Sequence, residues 1–362
     1  MGFQRFSTPR AYVCTINYNL ATGWNDASGA NTVLGEIEIK DNDGADVSLS
    51  SGNKEDLFDL KPHNAVTIPA STQSFYVQYD TELGDNSLGT NNFVAILNHN
   101  FSNADAVFKV QCSDQENFSS GVTDLSAHTG TSSTDDPAFR VINAKENDTA
   151  PEIDPETNGW TLITFNAPTG AGNQFLRITI EKENGADVNF ATDLVIGGIM
   201  FGKYIDWPHP MDVNLTTAYD YDGTTLHNSV GGSTYSNASF YGPPSWSVTN
   251  PWVNTTTSNQ NTYGFHRRYG RKKHNLNFSH IADTDLFSAD QTAYPNFYTG
   301  SDLHSQFYNK IIGQHIPFLW TLDKDSNTSG DYGLYRLANS SFTARQVGSR
   351  VFDVSLDLIE SW

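Results

Sequence analysis

The sequence predicts a mainly β protein: an N-terminal jelly-roll-like sandwich over residues 1–206, then a second β-rich domain over residues 207–362 with one short helix. Three observations carry this reading. Short apolar or alternating segments recur along the chain, each closed by Asn, Asp, Gly or Ser, which is the pattern of strands and turns. Aromatic residues make up 12% of the chain, with 22 Phe, 16 Tyr and 7 Trp, and such side chains suit a pleated, half-buried surface. At 362 residues the chain exceeds the size at which one core usually keeps growing, so two domains are expected.

Residues 12–18 (YVCTINY) read as a strand, part of an extended N-terminal arm, because Gly23-Trp24-Asn25-Asp26 follows as a turn. Residues 33–40 (VLGEIEIK) put Ile37 and Ile39 on one face and Glu36, Glu38 and Lys40 on the other, with Asp41-Asn42-Asp43-Gly44 as the closing turn. Asp41, Asp43 and Asp46 do not follow the calcium-loop order, which needs glycine sixth and glutamate twelfth, so a solvated turn is expected. Strands follow at 65–69, 74–79, 93–98 and 106–112. Residues 113–159 form a long polar loop interrupted by Phe139-Arg140-Val141-Ile142, and a loop of that length is exposed or functional.

Strands at 160–165 and 175–181 lead to residues 194–205 (LVIGGIMFGKYI), the last buried strand of the sandwich. Its glycines, Gly197, Gly198 and Gly202, permit close backbone approach or a bulge. Asp206-Trp207-Pro208-His209-Pro210 then reads as a proline-stiffened hinge. Gly202, Trp207, Pro208 and Pro210 are its hinge and domain-interface residues, with Trp207 expected to plug the interface rather than to stack a sugar.

The string Phe93-Val94-Ala95-Ile96-Leu97-Asn98-His99-Asn100-Phe101-Ser102, with Phe175–Ile180 and Ile196-Gly197-Gly198-Ile199-Met200-Phe201-Gly202 after it, resembles a family of bacteriophage tail-associated virion proteins. The resemblance implies a galactose-binding-like (discoidin-like) sandwich. This chain departs from the family pattern at Gly198, where Arg is frequent, and in the longer loop before Trp160.

Past the hinge, residues 213–220 and 226–235 flank Tyr221-Asp222-Gly223-Thr224, whose Asp-Gly pair predicts a hairpin turn. A Pro, Asn and Thr-rich stretch over 242–261, carrying Trp246 and Trp252, reads as a semi-rigid loop or arm. The concentrated positive charge comes next: Arg267, Arg268, Arg271, Lys272 and Lys273 lie within His266–His274 and run into an alternating strand. In a chain this acidic the expected partner of that stripe is another acidic protein surface, a second copy included. Asp302 caps the expected helix, Leu303, Phe307 and Ile311 share one stripe, and Gly313 ends it. Strands at 315–322, 332–337 and 351–359 complete the chain. Asp323, Asp325 and Asn327 again lack the calcium-loop glycine and glutamate. The order of basic strand, short helix, PFLW-x-x-D, hairpin and terminal L-x-L-I-E-S-W resembles the C-terminal part of the same tail-associated family, and distantly distal-tail and tail-tip proteins.

A net charge of −20 argues against general nucleic-acid binding, since neutralising phosphates needs an excess of Lys and Arg. Cys14 and Cys112 have no zinc-site or disulfide spacing and are expected to be buried thiols. No run long and apolar enough for a signal peptide or membrane span occurs, so synthesis in a host cytoplasm without membrane insertion is expected. No nucleophile elbow, phosphate loop, metalloprotease motif or distinguishable carboxylate pair appears, so no catalytic residue, metal or cofactor is assigned. The expected role is that of a structural virion subunit in a tail or adsorption apparatus, forming a homo-oligomer, a ring or trimer, and docking other tail proteins. The alternative is recognition of host-surface glycans, with Trp24, His99 and Trp160 as candidate contacts. A host-glycan depolymerase is the third.

Overall fold

The computed structural model describes residues 7–22, 37–81, 88–127, 138–147, 150–167, 174–183, 185, 187–221, 224–238, 252, 270–287 and 302–361. It is mainly β, as expected, and every strand pair in its two large sheets is antiparallel. The larger sheet has 11 strands. From its open end they run Thr216–Asp220, Arg271–Ala282, Val351–Glu360, Tyr332–Leu337, Phe318–Thr321, Arg10–Cys14, Gly198–Asp206, Asn92–His99, Gly159–Phe165 and Arg140–Ile142, with Ala344–Gly348 pairing off Val351–Glu360. The second sheet has 7 strands and is centred on Ser74–Asp80, Phe175–Lys182 and Ala106–Ser113.

The expected N-terminal arm is instead an interior strand. Arg10–Cys14 pairs with Gly198–Asp206 on one side and Phe318–Thr321 on the other, so both halves of the chain share one sheet. Residue alternation along it serves two cores: Tyr12 and Cys14 enter the one that includes the space between the sheets, Ala11 and Val13 the one beneath the helical segment. The strand is also shorter than read, because Thr15–Thr22 turns into an α-helix.

Residues 194–205 are not one strand. Leu194–Ile196 pairs with Val66–Ile68, while Gly198–Asp206 belongs to the large sheet. The break falls at Gly197, where a Cβ would sit 2.2 Å from the Pro62 carbonyl oxygen and 2.6 Å from Asn98 Cβ, so only glycine lets the three segments meet. The Asp-Gly hairpin also differs from expectation. Thr216–Asp220 pairs with the Arg271–Ala282 strand, and Thr224–Asn228 pairs instead with Thr234–Ala238 through a turn at 229–233. That turn closes by Ser229 N–H to the Ser233 carbonyl at 2.8 Å and uses Gly232 at φ +83, the left-handed position glycine fills without strain.

The large sheet curls. Five strand spacings separate Gly159–Phe165 from Tyr332–Leu337, roughly 24 Å if the sheet were flat. Yet the Trp160 and Tyr332 rings lie 5.3 Å apart. Arg140, on the last strand, reaches the Lys324 and Ser326 carbonyls and Asn327 Oδ1. One end of the sheet is thereby tied back to its own middle, and at the other end Thr216–Asp220 has no second strand partner among the described residues. The predicted helix is a π-helical turn at His304–Tyr308 within a longer helical segment. Asp302 Oδ1 accepts from Ser305 N–H at 2.8 Å, and Leu303, Phe307 and Ile311 fill the second core.

Candidate docking edge

The expected hinge is bolted rather than free. Trp207 is buried against Phe278, Phe307 and Trp320, with ring centroids 5.5, 5.1 and 4.9 Å away, so it plugs the second core. Its backbone N–H donates to the Pro9 carbonyl. Beside it Arg10 holds Asp206 through Nε and Nη2, and its guanidinium lies 3.9 Å over the Tyr204 ring. Gly202 lies against the Arg10–Cys14 strand so closely that a Cβ would fall 2.0 Å from the Val13 carbonyl oxygen. Pro208 and Pro210 follow in an irregular turn, with His209 Nδ1 2.7 Å from the Pro210 carbonyl oxygen.

Two of the candidate glycan contacts are core residues. His99 is buried, its Nε2 3.0 Å from Thr161 Oγ1 and its Nδ1 accepting from Phe101 N–H, and burial lowers its pKa to about 3, so it stays neutral. Trp160 is 1% exposed under Tyr332. Trp24 lies outside the described residues. The expectation of sugar contacts by His99 and Trp160 is therefore corrected: Tyr332 covers Trp160, and His99 is packed against Phe101 and Thr161.

The basic stripe divides likewise. Arg267 and Arg268 fall outside the described residues, while Arg271, Lys272 and Lys273 open the strand next to the sheet edge. Lys273 Nζ bonds Asp220 Oδ2 at 2.5 Å, and Lys272 N–H donates to Glu360 Oε2 at 2.9 Å. His274, one place on, lies between Thr217 and Tyr335; burial, then the charge of Lys272, hold its pKa down to about 4. The stripe is thus half engaged within its own sheet.

What the sequence did not single out is a run of exposed apolar side chains between residues 213 and 235. Among the described residues, six of the ten exposed large hydrophobic residues are Val213, Tyr219, Tyr221, Leu226, Val230 and Tyr235, all within one short stretch. Tyr219 and Tyr221 lean over Gly270, where a Cβ would meet the Tyr221 ring at 3.0 Å. Leu226 and Tyr235 are 68% and 64% exposed on a two-stranded ribbon that belongs to neither large sheet. Isolated ribbons are marginal in water, and contiguous exposed apolar side chains mark contact surfaces. The available signal was Ser-Val-Gly-Gly-Ser between two alternating segments, a better hairpin turn than Asp-Gly here.

Chemistry elsewhere is sparse. Among the described residues no three His, Cys, Asp or Glu converge as a metal site, and no helix is long and apolar enough to cross a membrane. Burial pushes the Cys14 and Cys112 thiols up to about 11 and about 12, which makes them poor nucleophiles. Asp41 Oδ1 accepts from the Asp43 and Ala45 N–H groups, as a solvated turn does. A groove of about 320 Å³, lined by Phe278 and Val354 as well as by polar side chains, runs between Asp212, Asn277, Arg345 and Asp353.

No protein-family model matches the chain, and no curated protein matches it. The solved structures similar to it include two carbohydrate-binding modules of a family 31 glycoside hydrolase from Clostridium perfringens. CBM32-1 is 12% identical over 46% of this chain and 93% of its own, with a TM-score of 0.28. CBM32-3 is 14% identical over 47% and 92%, with a TM-score of 0.24. The adhesin domain of Epf from Streptococcus pyogenes is 9% identical over 74% of this chain and 86% of its own, with a TM-score of 0.22.

Proposed function

We propose that this chain is a non-catalytic structural subunit of a bacteriophage particle, in the tail or adsorption apparatus, that works by docking to copies of itself and to neighbouring tail proteins. The observation that carries the reading is the run of exposed apolar side chains between residues 219 and 235: Tyr219 and Tyr221 at the edge strand of the large sheet, and Leu226, Val230 and Tyr235 on the separate ribbon that follows it. A monomer working alone gains nothing from such a surface, whereas a subunit buries it. Mapping the chain in intact particles by electron cryo-microscopy tests this: density for it in the tail is expected, and its absence from purified particles overturns the reading.

A second reading, attachment to host-surface glycans, is favoured by the groove, which sets polar side chains beside apolar ones. Asp212, Asn277 and Asp353 there are planar hydrogen-bonding groups held on strands and their flanks, the kind of side chain that takes sugar hydroxyls. A glycan array probed with the full chain tests it, because residues 1–206 alone lack the Phe318–Thr321 neighbour of their Arg10–Cys14 strand. Binding lost in Asn277→Ala supports the groove, and an array with no signal removes this reading.

A further inference from the structure

We propose that two copies of this chain join edge to edge through Thr216–Asp220, antiparallel about Ala218, so that the large sheet continues across a two-fold axis. The inference rests on the assembly reading above and names its partner, a second copy.

Thr216–Asp220 pairs on one side alone, with Arg271–Asn275. Its other side has no backbone partner among the described residues, and Thr216, Thr217, Ala218 and Tyr219 are exposed. Solitary proteins guard such a strand with lysine, proline, a bulge or a covering loop. This strand reads Thr-Thr-Ala-Tyr-Asp, and its register to the neighbouring strand is unbroken. The opposite end of the sheet is guarded, since Arg140 there reaches back to residues 324–327.

The strand is self-complementary. Antiparallel pairing about Ala218 sets Thr216 opposite Asp220 and Thr217 opposite Tyr219, so no like charges face each other. The one acidic side chain, Asp220, already holds Lys273. Charge does not oppose the same edge. Copies carrying −20 each repel, yet around this strand Arg271, Lys272 and Lys273 are matched in number by Asp220, Asp357 and Glu360, so two copies meet there without a local excess of either sign.

The Ala218 side chain is exposed, so charged variants leave the fold intact, which an unchanged melting temperature confirms. Sedimentation velocity of the full chain from about 1 to about 100 µM is expected to show a reversible dimer, with association weakened about tenfold or more in both Ala218→Lys and Ala218→Glu. An equimolar mixture of the two variants is expected to restore the dimer, because the axis places lysine opposite glutamate. A monomeric wild type over that range, a dimer indifferent to both charges, or a mixture that fails to recover each overturns the pairing. The particle map described above is independent of all three, so loss of the pairing leaves the assembly reading standing on its own test.

Discussion

Lys310 and Lys203 are charged residue types kept almost out of water. Lys203 Nζ donates to the Leu88 and Thr90 carbonyls, Lys310 Nζ to Gln306 Oε1, and each is under a tenth exposed. Burial lowers their pKa values to about 8 and about 7, with Lys203 adding repulsion at Lys310. Both then lose protons on folding, because the unfolded chain titrates near 10.5. Between pH 7 and 9 the unfolded state therefore binds more protons, and stability rises with pH by up to about 1.4 kcal/mol per pH unit for each lysine. Above pH 9 the buried Cys14 and Cys112, whose pKa values are raised, pull the other way. Urea unfolding at pH 7, 8 and 9 is expected to show the rise, and Lys310→Met to flatten it; a wild-type slope of zero would remove this account. At Trp207, whose ring meets Phe278, Phe307 and Trp320, truncation to alanine is expected to cost about 3–5 kcal/mol in the same assay.

At the scale of elements, the helical segment after residue 301 depends on its first turn. Asp302 is buried and its Oδ1 accepts from both Ser305 N–H and Ser305 Oγ at 2.8 Å. Asp302→Ala is expected to lower stability by about 1–2 kcal/mol, and Asp302→Asn by less, measured as the shift in urea midpoint. This cap was legible in the sequence, as were most interior strands, because burial imposes a period of two or a solid apolar run on the residues themselves. Thr15–Thr22 was not legible: TINYNLAT is rich in residues of weak helix propensity, and Thr15, Ile16 and Asn19 are buried by tertiary packing. His99 and Trp160 misled for a related reason. A histidine or tryptophan in a strand looks the same whether its face meets solvent or another layer, and the curl of the sheet decides which. The exposed ribbon at 224–238 carries no burial signal, so local spacing pointed to the wrong turn.

Taken whole, the molecule is built on a curled 11-stranded sheet that overlaps itself at one end, with a second sheet of 7 strands beside it. Arg140 bridges to residues 324–327 by three hydrogen bonds, and Trp160 stacks against Tyr332. Arg140→Ala is expected to speed hydrogen exchange at residues 140–142 and 324–328 by about tenfold while leaving the Arg10–Cys14 pairing protected. Equal exchange in variant and wild type would show that the overlap closes without the arginine.

The placement of Arg10–Cys14 bears on how the chain is made. A ribosome delivers those residues long before their neighbour Phe318–Thr321, and Ser7 meets Asp323 across 316 positions. Contacts so distant in sequence slow folding, and a half-made chain exposes an unpaired apolar strand meanwhile. The Thr216–Asp220 strand likewise waits for its inner neighbour, Arg271–Asn275, which is made after it. Order of synthesis thus sets an order of assembly: a nascent subunit that stops short of residue 275 presents no finished edge to its neighbours.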